Sequence, residues 1–217
     1  MYLSRIALES GTVDAMRFLA SPHLLHGAVE SCFIGERKRN LWRVDYLRGE
    51  PYLLIVSVEM PNFEQFAKRH GRADSTPVWD AKPYDTFLER ITQGQPWQFR
   101  LRANPVRSSI NERTDVKERG KVFNHVTPDQ QKDWLIKRCE ANGFLLDKEA
   151  FEIVQTQWYK FRKETGKPND VTLLAVTFEG VLTVTDAVLF RTALTSGIGR
   201  GKAYGCGLLT VANPGRG

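Results

Sequence analysis

The sequence predicts an α+β protein made of two successive β-α-β-β-α-β units. Three observations carry that prediction. Short alternating apolar runs and helix start signals follow one another as strand, helix, strand, strand, helix, strand. The same order then recurs in the second half of the chain. Between the two runs stands a turn-rich stretch from Thr92 to Pro96, which places one unit at residues 1–92 and the other at 96–217.

In the first unit, Tyr2 to Leu8 alternates as a strand does. Ser21-Pro22 pairs an N-cap residue with proline at the first helical position, which opens a helix from His23 to about Phe33. Leu41 to Leu47 and Tyr52 to Glu59 are strand-like runs joined by Arg48-Gly49-Glu50-Pro51, a hairpin signature. A weaker helix is expected from Phe63 to Arg69, and Pro77 to Ala81 supplies a short fourth strand.

The second unit opens with a strand from Trp97 to Val106. Arg107 to Val126 is polar and rich in both charges, and is read as a long, mobile loop that orders on a partner. Thr127-Pro128-Asp129 then caps a helix that Asn142-Gly143 ends. Phe151 to Arg162 and Val171 to Val184 form a long hairpin, and Thr185-Asp186 opens a helix over Ala187 to Ser196. A glycine run leads from it into a closing strand. The order in each half is the split βαβ, or ferredoxin-like, arrangement.

The chain has 217 residues, enough for two small domains with adequate cores. Its 31 Lys and Arg against 25 Asp and Glu give a net charge of +6, which favours nucleic acid or another polyanion as partner. Cys32, Cys139 and Cys206 are widely spaced and lack a C-x-x-C pair. They are expected to be reduced, buried thiols of a cytoplasmic protein, neither a disulfide framework nor a zinc site. Arg5 and Glu9 interrupt the first apolar residues, so neither a signal peptide nor a membrane span is expected.

The run Gly197-Ile198-Gly199-Arg200-Gly201-Lys202-Ala203-Tyr204-Gly205-Cys206-Gly207 sets glycines around two cations. Such a turn offers backbone amides and positive charge to a phosphate. It is not a P-loop, because Ser196 stands where the first glycine belongs and Ala203 where Ser or Thr belongs. Nor is it a dinucleotide fingerprint, because a helix precedes it and a strand follows. The plain alternative is a tight turn that packs a helix on a sheet.

Of the four histidines, His23 and His26 stand three residues apart on one helix face. Two groups that titrate near neutrality on one face can act as acid and base. On residue chemistry alone, a hydrogen-bonded structural pair is the commoner arrangement. No third ligand at suitable spacing accompanies them, so no metal site is expected.

Phe99-Arg100-Leu101-Arg102-Ala103-Asn104-Pro105 resembles the R-L-R-A-N-P stretch of the CasE family, the CRISPR repeat-RNA endoribonucleases of the type I-E Cascade system. Met1-Tyr2-Leu3-Ser4, Phe178-Glu179-Gly180 and the Gly197 to Leu209 run resemble the same family, in the right order across essentially the whole chain. The resemblance implies tandem ferredoxin-like domains that bind the stem-loop of a CRISPR repeat RNA and cut once at the base of the stem. It implies attack by a ribose 2′-hydroxyl without metal or other cofactor, leaving a 2′,3′-cyclic phosphate and a free 5′-hydroxyl. The further partners it implies are the mature guide RNA and other Cascade subunits, with turnover and product retention both left open.

His26 occupies the position of the family's catalytic histidine. His23 stands where well-known members have tyrosine, and is expected to position the phosphate or act as a second acid or base. Arg and Lys residues that follow the histidine in some relatives are replaced here by Gly27 and Glu30. Charge for the transition state is therefore expected from Lys202 or Arg200.

An RNA stem is gripped mainly through phosphates and 2′-hydroxyls. Lys160, Arg162, Lys163 and Lys167 cluster at the tip of the long hairpin, with Trp158 and Tyr159 as stacking candidates. Arg102 and Arg107 are further RNA-binding candidates, and the basic run Arg37-Lys38-Arg39 ranks below them. A non-catalytic RNA-binding subunit of the same fold is the alternative from another class. An enzyme acting on a small phosphorylated ligand would leave the basic hairpin unexplained.

Overall fold

The computed structural model describes residues 1–36, 38–109, 121–163 and 169–215. Arg37, Lys167 and the middle of the Arg107 to Val126 segment lie outside the described residues.

β1 (Tyr2–Ala7) lies inside an antiparallel sheet with β3 (Glu50–Ser57) on one side and β4 (Trp79–Pro83) on the other. β2 (Leu41–Leu47) pairs with β3, giving the order β2-β3-β1-β4, in which the strands joined by a hairpin are adjacent. α1 (Val13–Leu19), α2 (Pro22–Glu30) and α3 (Glu64–His70) complete the first unit. Alternation along the strands puts Ile6, Leu8, Trp42, Leu53 and Ile55 into one core with Phe18, Leu25, Val29 and Phe66 of the helices.

α2 begins as the Ser21-Pro22 pair dictates: the Ser21 hydroxyl accepts a hydrogen bond from the Leu24 amide, and Pro22 fills the first turn. It ends at Glu30, one turn earlier than the expected Phe33. The fourth strand runs from Trp79 to Pro83, two residues beyond the expected span.

α4 (Asp85–Leu88) leads to the second unit. Its sheet has the order β11-β5-β10-β8, with β9 also paired to β10, from β5 (Pro96–Ala103), β8 (Phe144–Leu145), β9 (Phe151–Lys163), β10 (Asn169–Val184) and β11 (Leu209–Ala212). α5 (Pro128–Cys139) and α6 (Ala187–Ser196) pack Trp134, Leu135, Phe190 and Leu194 against Phe99, Leu101, Val176 and Phe178 of the strands. The expectation of an unbroken loop over Arg107 to Val126 is corrected at both ends. β6 (Val106–Ser109) and β7 (Lys121–Asn124) pair antiparallel there.

One buried side chain ties the units together. Arg43, 1% exposed, donates from Nε and Nη2 to the two Asp45 carboxylate oxygens at 2.7 and 2.6 Å. Nη1 donates to the Arg100 and Leu208 carbonyls at 2.9 and 2.8 Å, and Nη2 donates again to the Thr210 hydroxyl at 2.7 Å. Every donor of the guanidinium is thus used, as a buried charge requires. Leu41, Val56, Tyr84, Leu88 and Ile91 also belong to the core built by the second unit.

All three cysteines are free and buried. Burial pushes the thiols of Cys32 and Cys139 up to about 12 and that of Cys206 to about 11, so they stay protonated and poorly nucleophilic at neutral pH.

Candidate active site

The face of α2 that carries His26 meets the glycine run. Gly201 and Gly205, both in the left-handed region, bracket a tight 3-10 turn over Lys202–Tyr204 that is set against α2 and β2. Gly205 has φ +74°, and a Cβ there would lie 2.7 Å from the Trp42 ring. Gly205→Ala is therefore expected to cost about 1–2 kcal/mol from backbone conformation alone. The displaced indole adds to that cost, and a thermal melt several degrees lower checks it.

His26 and this turn form two walls of an open cleft of about 660 Å³. Lys38, Arg39 and Asn40, from the segment before β2, complete it together with Glu30 and Arg200. The His26 side chain is 17% exposed, and its Nδ1 lies 3.9 Å from a Glu30 carboxylate oxygen one helical turn on. That spacing is the i,i+4 pairing of a helix face. The Tyr204 ring stands edge-on to His26 with centroids 6.2 Å apart.

Lys202 Nζ donates to the Ser196 carbonyl at 2.6 Å, at the C-terminal end of α6, which holds the ammonium at the rim of the cleft. Burial, and secondarily the Arg39 charge, lower its pKa from the ordinary 10.5. Arg200 forms a β-bridge with Asn104 and donates to the Ser108 hydroxyl at 3.2 Å. The structure thus brings together His26, Lys202 and Arg200 of the sequence candidates.

The other candidates lie elsewhere. His23 stacks towards Phe161, with centroids 6.2 Å apart and planes at 15°. Phe161 meets Tyr204 at 4.8 Å; His23 does not line the cleft with Lys202 but shares a neighbouring groove with His26, beside Phe18, Phe66 and His70. Arg102 donates to the Tyr159 hydroxyl at 2.6 Å, and that hydroxyl donates to Gln157 at 2.7 Å. This network belongs to a separate groove beside Trp42 and Val44. Tyr159 and Phe161 face inward on β9, so alternation puts Trp158, Lys160 and Arg162 on its exposed face. Lys163 ends that strand. Arg107 is exposed on β6, its guanidinium 5.8 Å from the Phe123 ring centroid.

Sequence reasoning ranked Lys38 and Arg39 low and passed over Tyr204 and Asn40. The signals were present: a basic run just past α2, and a tyrosine inside the glycine run beside Lys202. Glu30 was noted only as a missing cation, although it stands four residues after His26. Among the described residues, no three His, Cys, Asp or Glu side chains are grouped as ligands for a metal ion. No described helix is long and apolar enough to cross a membrane.

A tandem ferredoxin-like protein with a histidine facing cations across an open cleft is a protein suited to phosphodiester chemistry. Comparison with known proteins narrows that class. The chain belongs to the CRISPR-associated protein family, whose profile matches residues 1–213. It is 33% identical over 227 residues to the CRISPR-associated endoribonuclease Cse3 of Thermus thermophilus, covering 98% of this chain and 100% of that one. It is 31% identical over 127 residues to the Cascade subunit CasE of Escherichia coli, covering 57% of this chain and 61% of the relative. Among solved structures, Thermus thermophilus Cse3 bound to an RNA representing a pre-cleavage complex superposes with a TM-score of 0.79 at 30% identity, covering 97% of this chain and 98% of that one. Cse3 bound to a 19-nucleotide RNA gives 0.78 at 30% identity, covering 98% and 100%.

Proposed function

We propose that this chain is an endoribonuclease that binds the stem-loop of a CRISPR repeat RNA, cuts it once at the base of the stem and so matures guide RNA. The observation that carries this reading is that His26, Lys202 and Arg200 line one cleft of about 660 Å³. The relatives named as CRISPR endoribonuclease and Cascade subunit supply the substrate class and the wider assembly. The protein acts in the cytoplasm, and its units divide as residues 1–92 and 96–217.

Cleavage needs no added metal. A ribose 2′-hydroxyl attacks the adjacent phosphorus as His26 removes its proton, and the bond from phosphorus to the 5′-oxygen breaks in line. The products are a 2′,3′-cyclic phosphate and a 5′-hydroxyl, the 5′-oxygen taking up one proton. Glu30 steadies the imidazolium that His26 becomes. Lys202 and Arg200 offset the charge that builds on the phosphate oxygens. His23, stacked towards Phe161 and sharing a groove with His26, acts as a positioning group. The exposed face of β9, with Lys160 and Arg162, takes the stem, together with Lys163 and Lys167. Arg107 is a further RNA contact. Arg102 reaches RNA only by giving up its bond to Tyr159.

Incubating a repeat hairpin with the protein tests the substrate. One cut at the stem base, absent from a hairpin of scrambled sequence, is expected. Tight binding without a cut favours a non-catalytic subunit instead.

Lys202 also sets a pH dependence. Its charge is needed and its pKa is depressed, so activity on the alkaline side falls at a lower pH than an ordinary lysine would give. Lys202→Gln is expected to slow cleavage about 10²–10³-fold. Lys202→Arg keeps its charge and moves the alkaline fall upward, which a pH–rate profile reads directly.

A further inference from the structure

On the far side of the glycine run lies a second cavity, of about 490 Å³, and Gly199 and Arg200 line both it and the cleft of His26. Its other walls are β6, the chain leaving β7, and α5. They are locked together. The Trp134 indole donates to the Val106 carbonyl at 3.2 Å, Gln131 donates to the His125 carbonyl at 3.0 Å, and Gly199 lies so close that a Cβ there would be 3.0 Å from the Trp134 ring.

The charge in this cavity is strongly one-sided. Arg107 comes from β6, Lys137 and Arg138 from α5, and Arg200 from the glycine run. Asp133 is the one carboxylate among the described lining residues, and Lys148 bonds it at 3.1 Å. The lining indole, Trp134, is buried and has the Arg138 guanidinium 4.0 Å from its ring centroid, which leaves it little room to stack a base. Four cations without a stacking platform suit a phosphate group better than a nucleobase.

We propose that this cavity is a second anion site, taking a backbone phosphate of the RNA strand that continues over Gly199 and Arg200 from the cut. The proposal rests on the endoribonuclease reading and extends it from the stem to the flank. His125 sits in the same cavity, where burial first, and then Arg107, Arg138 and Lys137, lower its pKa. It is therefore mostly neutral at neutral pH, and an entering phosphate offsets the cations and favours its protonated form. Binding of the flank takes up a proton and is tighter at lower pH.

The test uses two RNAs with a single 2′-deoxy substitution at the cut: one ending at the stem, the other extended on both sides. Lys137→Gln is expected to weaken the extended RNA about 5–10-fold at moderate salt and to reduce its salt slope by about 0.7–1, with the stem-only RNA unaffected. For wild type, the advantage of the extended RNA grows from about pH 8 to about pH 6, and His125→Gln removes that growth. Equal losses on both RNAs, or none on either, overturn the proposal while leaving the endoribonuclease reading intact. Wild-type protein that binds neither RNA overturns that reading, and this one with it.

Discussion

Replacing His26 with alanine is expected to slow single-turnover cleavage of a repeat hairpin about 10²–10⁴-fold, the range a positioned proton-transfer group contributes. The dissociation constant of the RNA should change only a few-fold. Grip and chemistry draw on different residues here: His26 is a single imidazole on the cleft face of α2, whereas the positive charge comes from the glycine run, the segment before β2 and β9. The side chain is only 17% exposed, so a melt of the variant must accompany the kinetics. A rate within tenfold of wild type, in a folded variant that binds RNA normally, would remove His26 from the mechanism. Among the described residues lining that cleft, His26 is the one imidazole, so the assigned acid–base chemistry would lose its centre with it.

The second large effect is structural. Arg43→Met is expected to destabilise the protein by about 3–5 kcal/mol, because it leaves Asp45 as a buried carboxylate without its bidentate partner. Arg100 Nε, 3.2 Å from Asp45, moderates the loss and favours the lower end of that range. In a chain of this size about 3 kcal/mol corresponds to roughly 6–12 °C in Tm. The Arg100 and Leu208 carbonyls lose a partner as well, so the glycine run is loosened at the strand it leads into. Chemical denaturation measures the loss, and Arg43→Met combined with Asp45→Leu should restore much of it, since the double variant buries no unpaired charge. A single-variant loss below about 1 kcal/mol would mean that water reaches Asp45 and that Arg43 does not hold the units together.

Arg43 also shows where sequence reading stops. Alternation in Leu41 to Leu47 correctly puts Arg43 and Asp45 on one face of β2. Period two tells which residues share a face, not whether the face is wet, and here the second unit covers it. The same limit applies to Arg102, whose partner Tyr159 is distant in sequence. Elements with strong local signals were legible: α2 from Ser21-Pro22, α5 from Thr127-Pro128 and the β2–β3 hairpin from its turn. α1 was not, because its seven residues bury only Phe18 and so show little periodicity. β6 and β7 were hidden in a segment whose polarity reads as loop.

At the site, His26 was legible because a titratable side chain on a capped helix stands out, and the family resemblance singled out the same position. The cleft was not. Its second wall comes from the other unit, and the approach of Tyr204 to His26 joins residues far apart in the chain. Lys38 and Arg39 looked like an ordinary solvated run because nothing local says that the glycine run lies opposite them.

The chemistry assigned to this cleft is attack by the RNA's own 2′-hydroxyl, and the ends of the product test it most directly. A repeat hairpin cleaved in the presence of EDTA should yield a 2′,3′-cyclic phosphate and a 5′-hydroxyl, and a 2′-deoxy substitution at the nucleotide before the cut should abolish cleavage. A 5′-phosphate on the product, or cleavage that requires a divalent cation or survives the 2′-deoxy substitution, would contradict it.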